Sequence, residues 1–218
     1  MGDKTNCTCY ARAFRMSALE IADIIGIISF ALSGFLIGVH CKLDILGVFI
    51  SAFLTAFGGG MTRDVLVDRT PYVFTSNLPL SLVIATVLIA MLFKLHKITN
   101  LEGKWAFVIS DAIGLSSFAI TGAIIAIESG FNFLSVIMLA FITAVGGGTI
   151  RDVLINRMPF ILVSEFYATV ALIIGSMVYI LEIFEMRNLM TLIIVFVFGV
   201  LLRVFAYYKK WNLPTLSK

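Results

Sequence analysis

The sequence predicts an all-α integral membrane protein: seven transmembrane helices in an inverted three-plus-three repeat with a seventh helix added, the second and fifth helices broken at triple glycines. Three observations carry that prediction. The chain of 218 residues is 60% hydrophobic and 13% charged, with a mean hydropathy of +1.05. A soluble domain is about half apolar and about a quarter charged, and a membrane span takes about 20 mostly apolar residues, so this length holds about seven. Residues 52–66 and 140–154 match without a gap at 11 of 15 positions, each an apolar run ending in three glycines and an Arg-Asp pair. At the same offset of 88, residues 21–76 and 109–164 share 25 of 56 positions, among them Asp23/Asp111, Gly26/Gly114, Ser29/Ser117, Arg69/Arg157 and Pro71/Pro159. An odd number of spans per copy forces the second copy to enter from the opposite side, and inverted repeats with interrupted helices mark secondary transporters.

Taken in order, the chain divides into an N-terminal tail (1–17), a first repeat (18–97), a second repeat (105–183), a last span (188–208) and a C-terminal tail (209–218). Lys4, Arg12 and Arg15 precede an apolar run, as in a signal peptide, but the run is of span length with no clean small-residue cleavage site, so it reads as a retained first helix. Cys7 and Cys9 in the tail are either disulfide-bonded or free, and with Cys41 they form no metal pattern. Span one covers about 18–39, and a turn at 40–44 leads to span two, which runs from Ile45 through the first triple glycine and ends before Pro71. Span three is about 79–95, and a basic loop with Lys94, His96, Lys97 and Lys104 joins the repeats. Spans four, five and six repeat the plan at about 105–127, from 133 through the second triple glycine to Pro159, and at 163–181. The last span is about 189–208, where Arg203 is expected to snorkel to the interface beside Tyr207, Tyr208 and Trp211. Counting Lys and Arg by side, and cancelling the motif arginines, leaves four with the N-terminus against eight opposite. The positive-inside rule then puts the N-terminus outside and the C-terminus in the cytoplasm.

Each glycine costs roughly 1 kcal/mol relative to alanine inside a helix, and a broken helix persists in a membrane only where protein or a wet cavity satisfies the freed backbone. A break exposes carbonyls suited to a cation and N–H groups suited to a carboxylate. From Ile45 to Gly58 a helix rises about 20 Å, so the two breaks are expected to bracket the midplane. Gly58, Gly59, Gly60, Gly146, Gly147 and Gly148 are therefore candidate pathway residues; the alternative is tight helix packing. Arg63 and Arg151 lie just past the glycines, where an unpaired charge is expensive. Asp64 and Asp152 adjoin them in sequence but point about 100° away on a helix. The expected partners are therefore Asp23 for Arg63 and Asp111 for Arg151, pairs that either meet the solute or lock the bundle. Ser29 and Ser117, with Ser33 and Thr121, line one side of spans one and four and face either the pathway or a neighbouring helix.

No nucleophile–base set, metal-ligand cluster or phosphate loop is present, so neither an enzyme nor a cofactor is expected. The glycine motif lacks the Lys-Ser/Thr of a Walker loop, and a net charge of +3 gives no footprint for nucleic acid. The doubled Gly-Gly-Gly-x-x-Arg-Asp-Val-Leu, followed five residues later by proline at 58–71 and 146–159, resembles the bacterial UPF0126 membrane family, whose repeat is called the glycine transporter domain. The resemblance covers about residues 18–205. More distantly the chain is similar to the trimeric intracellular cation (TRIC) channels. The UPF0126 resemblance implies a bacterial inner-membrane protein, and the TRIC resemblance implies a homotrimer with a pore in each subunit and hinge glycines at the pore; spans three and four depart from the animal channels in lacking their lysine-rich lipid motif. Two functions follow: a carrier of glycine or another small neutral amino acid, placed first, and a channel for monovalent cations such as potassium.

Overall fold

A computed structural model describes residues 4–95, 101–163, 166–209 and 211, and the side chains of 18–95, 105–162, 166–209 and 211. The described residues are helical almost throughout. The helices are α1 (Lys4–His40), α2 (Ile45–Leu66), α3 (Tyr72–Thr75), α4 (Leu78–Leu92), α5 (Leu101–Glu128), α6 (Phe133–Leu154), α7 (Phe160–Val163), α8 (Tyr167–Ile183) and α9 (Leu189–Lys209). Five are long and apolar enough to cross a membrane: the 18–40 part of α1, α2, the 105–128 part of α5, α6 and α9. The third helix of each repeat, α4 and α8, is apolar but only 15 and 17 residues long. The Cys7–Cys9 question and the basic residues His96, Lys97 and Lys104 fall outside the described side chains.

The repeat is visible down to its turns. Asp44 caps α2 by accepting from Gly47 N–H at 2.7 Å, and Asn132 caps α6 by accepting from Ser135 N–H at 3.0 Å. Such side chains satisfy N–H groups that a helix start leaves orphaned. Each of the two long helices then ends at a residue with positive φ, Asp68 (56°) and Asn156 (55°). Asp and Asn tolerate this left-handed conformation better than other residues with a Cβ. A proline follows in both copies, and the short helices α3 and α7 begin there.

Helices α1 and α5 cross face to face and run antiparallel. Gly26 lies against Phe118, Phe30 against Gly114, and Ser33 against Asp111, so one number rises as the other falls. Phe30 and Phe118 meet edge to face with ring centroids 5.1 Å apart. The glycines there are sockets for the phenyl rings of the other copy. Beside this pair pack α2 on α1, α6 on α5, and α2 on α6, with α4 and α8 outside them and α9 against α5 and α8.

The triple glycines do not break their helices: α2 runs without interruption from Ile45 to Leu66 and α6 from Phe133 to Leu154. The two stretches meet each other at one crossing. A Cβ at Gly59 would stand 2.0 Å from the Thr143 carbonyl oxygen, and one at Gly147 would stand 2.1 Å from that of Thr55. Gly58 and Gly146 face the same contact, at 3.0 Å from Gly147 Cα and 3.2 Å from Gly59 Cα. The physical reason is that no water stands ready in an apolar interior to satisfy a freed backbone group. The intrahelical bonds are kept, and the missing side chains are used to bring two backbones together. Gly60 and Gly148 differ: their open faces meet only Arg63 Nη2 at 3.9 Å, and Arg151 Nη2 and the Tyr167 hydroxyl at 3.7 Å.

Candidate functional site

Just past the crossing, each repeat buries a cluster of charge. In the first, Arg63 Nη1 donates to Asp23 Oδ1 at 3.0 Å and to Thr121 Oγ1 at 3.0 Å. The Asp23–Arg63 pair expected from the sequence is therefore formed. Arg63 Nε also donates to Asp64 Oδ1 at 2.9 Å. This corrects the expectation that Asp64 points away, since the long guanidinium side chain folds back across the interval. Asp64 has a second task. Its Oδ2 accepts from Tyr72 N–H at 3.1 Å, tying the start of α3 to α2. All three charged side chains are buried.

The second cluster repeats half of this. Arg151 Nε donates to Asp152 Oδ1 at 2.9 Å, and Asp152 Oδ2 accepts from Phe160 N–H at 3.0 Å, tying α7 to α6. The expected Asp111–Arg151 ion pair is absent among the described residues. Asp111 Oδ1 instead accepts from Ser33 Oγ at 3.3 Å and from the Tyr167 hydroxyl at 3.4 Å. The guanidinium of Arg151 lies 5.9 Å from the Phe107 ring centroid. Asp111 Oδ2 and Arg151 Nη1 are buried with no hydrogen-bond partner among the described residues. The copies differ because position 167 corresponds to Pro79 in the first repeat, which has no hydroxyl to offer.

A further residue separates them. Arg203, from α9, does not snorkel to the interface: it is 2% exposed, and its guanidinium stacks 4.8 Å from the Tyr167 ring centroid and 5.5 Å from that of Phe160. Its planar, weakly hydrated head suits that stacking. The first cluster thus sets one arginine against two aspartates, Asp23 and Asp64, while the second sets Arg151 and Arg203 against Asp111 and Asp152. Formally the first is one charge negative and the second neutral.

A small cavity opens beside the negative cluster, lined among others by Asp23, Phe57, Gly60, Met61, Arg63 and Tyr72. Its volume is about 20 Å³, room for about one water. Of the sequence-predicted residues, Asp23, Gly60, Arg63 and Asp64 meet here. Gly58, Gly59, Gly146 and Gly147 form the crossing, while Asp111, Arg151 and Asp152 make the second cluster beside Gly148. Ser29 is half-buried, and Ser117 is buried at the α1–α5 contact with no partner for its hydroxyl among the described residues. Sequence reasoning missed Tyr167 and the burial of Arg203. The available signal was a lone arginine inside an otherwise apolar span. Ser33 and Thr121, each bonded to the other copy's charged residue, stand at matched positions 88 apart.

The two repeats and the helical fold have counterparts among known proteins. A family model described as glycine transporter matches residues 20–95 and 108–182, once per repeat. The UPF0126 membrane protein YvgT of Bacillus subtilis is 36% identical over 201 residues, covering 92% of this chain and 97% of the relative. A crystal structure of a prokaryotic TRIC channel in 0.5 M KCl is 37% identical with a TM-score of 0.81, over 89% of this chain and 98% of that one. The TRIC trimeric intracellular cation channel orthologue from Rhodobacter sphaeroides is 27% identical with a TM-score of 0.81, over 88% and 98% of the two chains.

Proposed function

The chain belongs to the UPF0126 family of membrane proteins, and from that premise we propose that it is a channel passing monovalent cations such as potassium across a bacterial inner membrane. One observation carries this reading: the likeness to TRIC cation channels runs along nearly the whole chain. The geometry supports it. A site with two carboxylates to one guanidinium, beside a cavity of one-water size, favours a small cation over the carboxylate of an amino acid. The order of the two functions drawn from the sequence is thereby reversed. The pathway runs past Asp23, Gly60, Arg63 and Asp64, with the α2–α6 crossing as its packed wall. In this reading α4 and α8 complete seven spans, the two repeats are inverted in the membrane, the N-terminus is outside, and the protein assembles as a homotrimer, as the trimeric intracellular cation channel it resembles is named.

A second reading, a carrier of glycine, is favoured by the family description and by the unpartnered Arg151 Nη1 and Asp111 Oδ2, a donor and an acceptor that match a carboxylate and an ammonium. Both are tested in one preparation of the purified protein in liposomes. Potassium-driven voltage change without saturable uptake of labelled glycine is expected, and Gly60→Ala, which places a methyl group in the cavity, is expected to reduce it. Saturable glycine uptake without potassium current would replace the channel by the carrier.

A further inference from the structure

Away from the charged clusters, an open apolar groove of about 510 Å³ runs between the start of α5 and the last turns of α9. It is lined by Trp105, Phe198, Leu201, Leu202, Val204, Phe205 and Tyr208. Polar atoms scarcely contribute to its wall, so within a bilayer its natural filling is hydrocarbon. Beside it Trp105 and Tyr207 meet edge to face at 5.5 Å and join α5 to α9. The groove ends in charge. Lys209 follows Phe205 by four residues, which places it one turn further along the same face of α9. It is exposed, and a lysine stem reaches along apolar surface while its ammonium stays at the interface. An acyl chain lying against Leu201 and Phe205 would bring its headgroup to that ammonium.

We propose that this groove is a binding site for an anionic glycerophospholipid, its acyl chain against α9 and Trp105 and its phosphate at Lys209. The charge at the groove's end selects the occupant, since a zwitterionic lipid fills the apolar part equally well but gains less from Lys209. The site lies on the face of α9 opposite the buried Arg203, so a bound lipid braces the helix that supplies Arg203 to the second cluster. It holds for channel and carrier alike.

The chain has two tryptophans, Trp105 and Trp211. Trp211 meets the groove's Phe205 edge to face at 5.4 Å, so Trp211→Phe keeps an aromatic ring there and leaves one indole, Trp105 on the groove wall, as a reporter. This variant is reconstituted in phosphatidylcholine vesicles carrying rising fractions of brominated phosphatidylglycerol or brominated phosphatidylcholine, and quenching of Trp105 is followed. One basic side chain near a membrane surface attracts an anionic lipid enough to shift its equilibrium about fivefold. Half-maximal quenching is therefore expected at about a fivefold lower fraction of phosphatidylglycerol. Lys209→Gln added to Trp211→Phe is expected to abolish the preference while both lipids still quench, and Lys209→Arg to keep it. Equal quenching by the two lipids in Trp211→Phe, or a preference that survives Lys209→Gln, would overturn the proposal. Protection of Trp105 from both lipids would also overturn it, and would place a second copy of this chain on the groove.

Discussion

Replacing Gly59 by alanine and, separately, Gly60 by alanine tests the helix crossing with two substitutions one residue apart. A Cβ at position 59 would lie 2.0 Å from the Thr143 carbonyl oxygen and 3.1 Å from its carbon. Carbon and carbonyl oxygen approach to about 3.3 Å in weak hydrogen bonds, so α2 and α6 must separate by on the order of 1 Å. The obstacle is backbone on a helix that is itself packed on α5 and α8, and it has no rotamer to change. Overpacking of this kind costs about 1–3 kcal/mol, against a gain of roughly 0.5–1 kcal/mol for removing a glycine from a helix interior. At position 60 the nearest atom is Arg63 Nη2 at 3.9 Å, an ordinary contact, and only the gain remains. The two variants are therefore expected to differ by about 1–3 kcal/mol, Gly60→Ala the more stable. Thermal unfolding of the two in the same detergent measures the difference. Gly147→Ala and Gly148→Ala should repeat it, since their nearest atoms lie at 2.1 Å and 3.7 Å. A Gly59→Ala protein as stable as Gly60→Ala would refute the reasoning and restore the glycines as points of helix interruption.

Two further outcomes follow from the charged clusters. Arg63→Ala strands Asp23 and Asp64 without their shared cation and should cost about 3–5 kcal/mol in unfolding free energy. Asp23→Asn, which keeps an acceptor for Nη1 and leaves Asp64 in place, should cost on the order of 1 kcal/mol, and equal losses in chemical denaturation would argue against the shared-cation arrangement. Arg203→Lys should lower the melting temperature, because an ammonium loses the planar stacking on Tyr167 and Phe160, a contribution of about 0.5–2 kcal/mol. An unchanged melting temperature would return Arg203 to the membrane interface.

The ion pair between Asp23 and Arg63 was legible because both residues recur at a fixed offset and a buried guanidinium needs an acid. The same logic applied to Asp111 and Arg151 gave a pair that does not form. The repeat equates positions, and the neighbours that decide the outcome lie outside it: Tyr167 stands where the first copy has Pro79, and Arg203 enters from a helix with no counterpart. Asp64 and Asp152 were misjudged for a different reason. A helical wheel places Cβ atoms, and an arginine is long enough to reach an adjacent carboxylate across the angle it predicts.

By itself the sequence determined the membrane class, the two copies and their matched turns, because composition and a repeated pattern are properties of the chain read along its length. It also determined that the glycine stretches are special. The broken helices it led us to expect are not the solution they adopt. A broken helix and two helices in backbone contact ask for the same residues locally, and each removes the side chain for its own reason. Only the tertiary structure decided between them, because the choice depends on whether another backbone stands within reach. Here one does: Thr143 and Thr55 present their carbonyls where the missing Cβ atoms of Gly59 and Gly147 would be, and both helices run on unbroken.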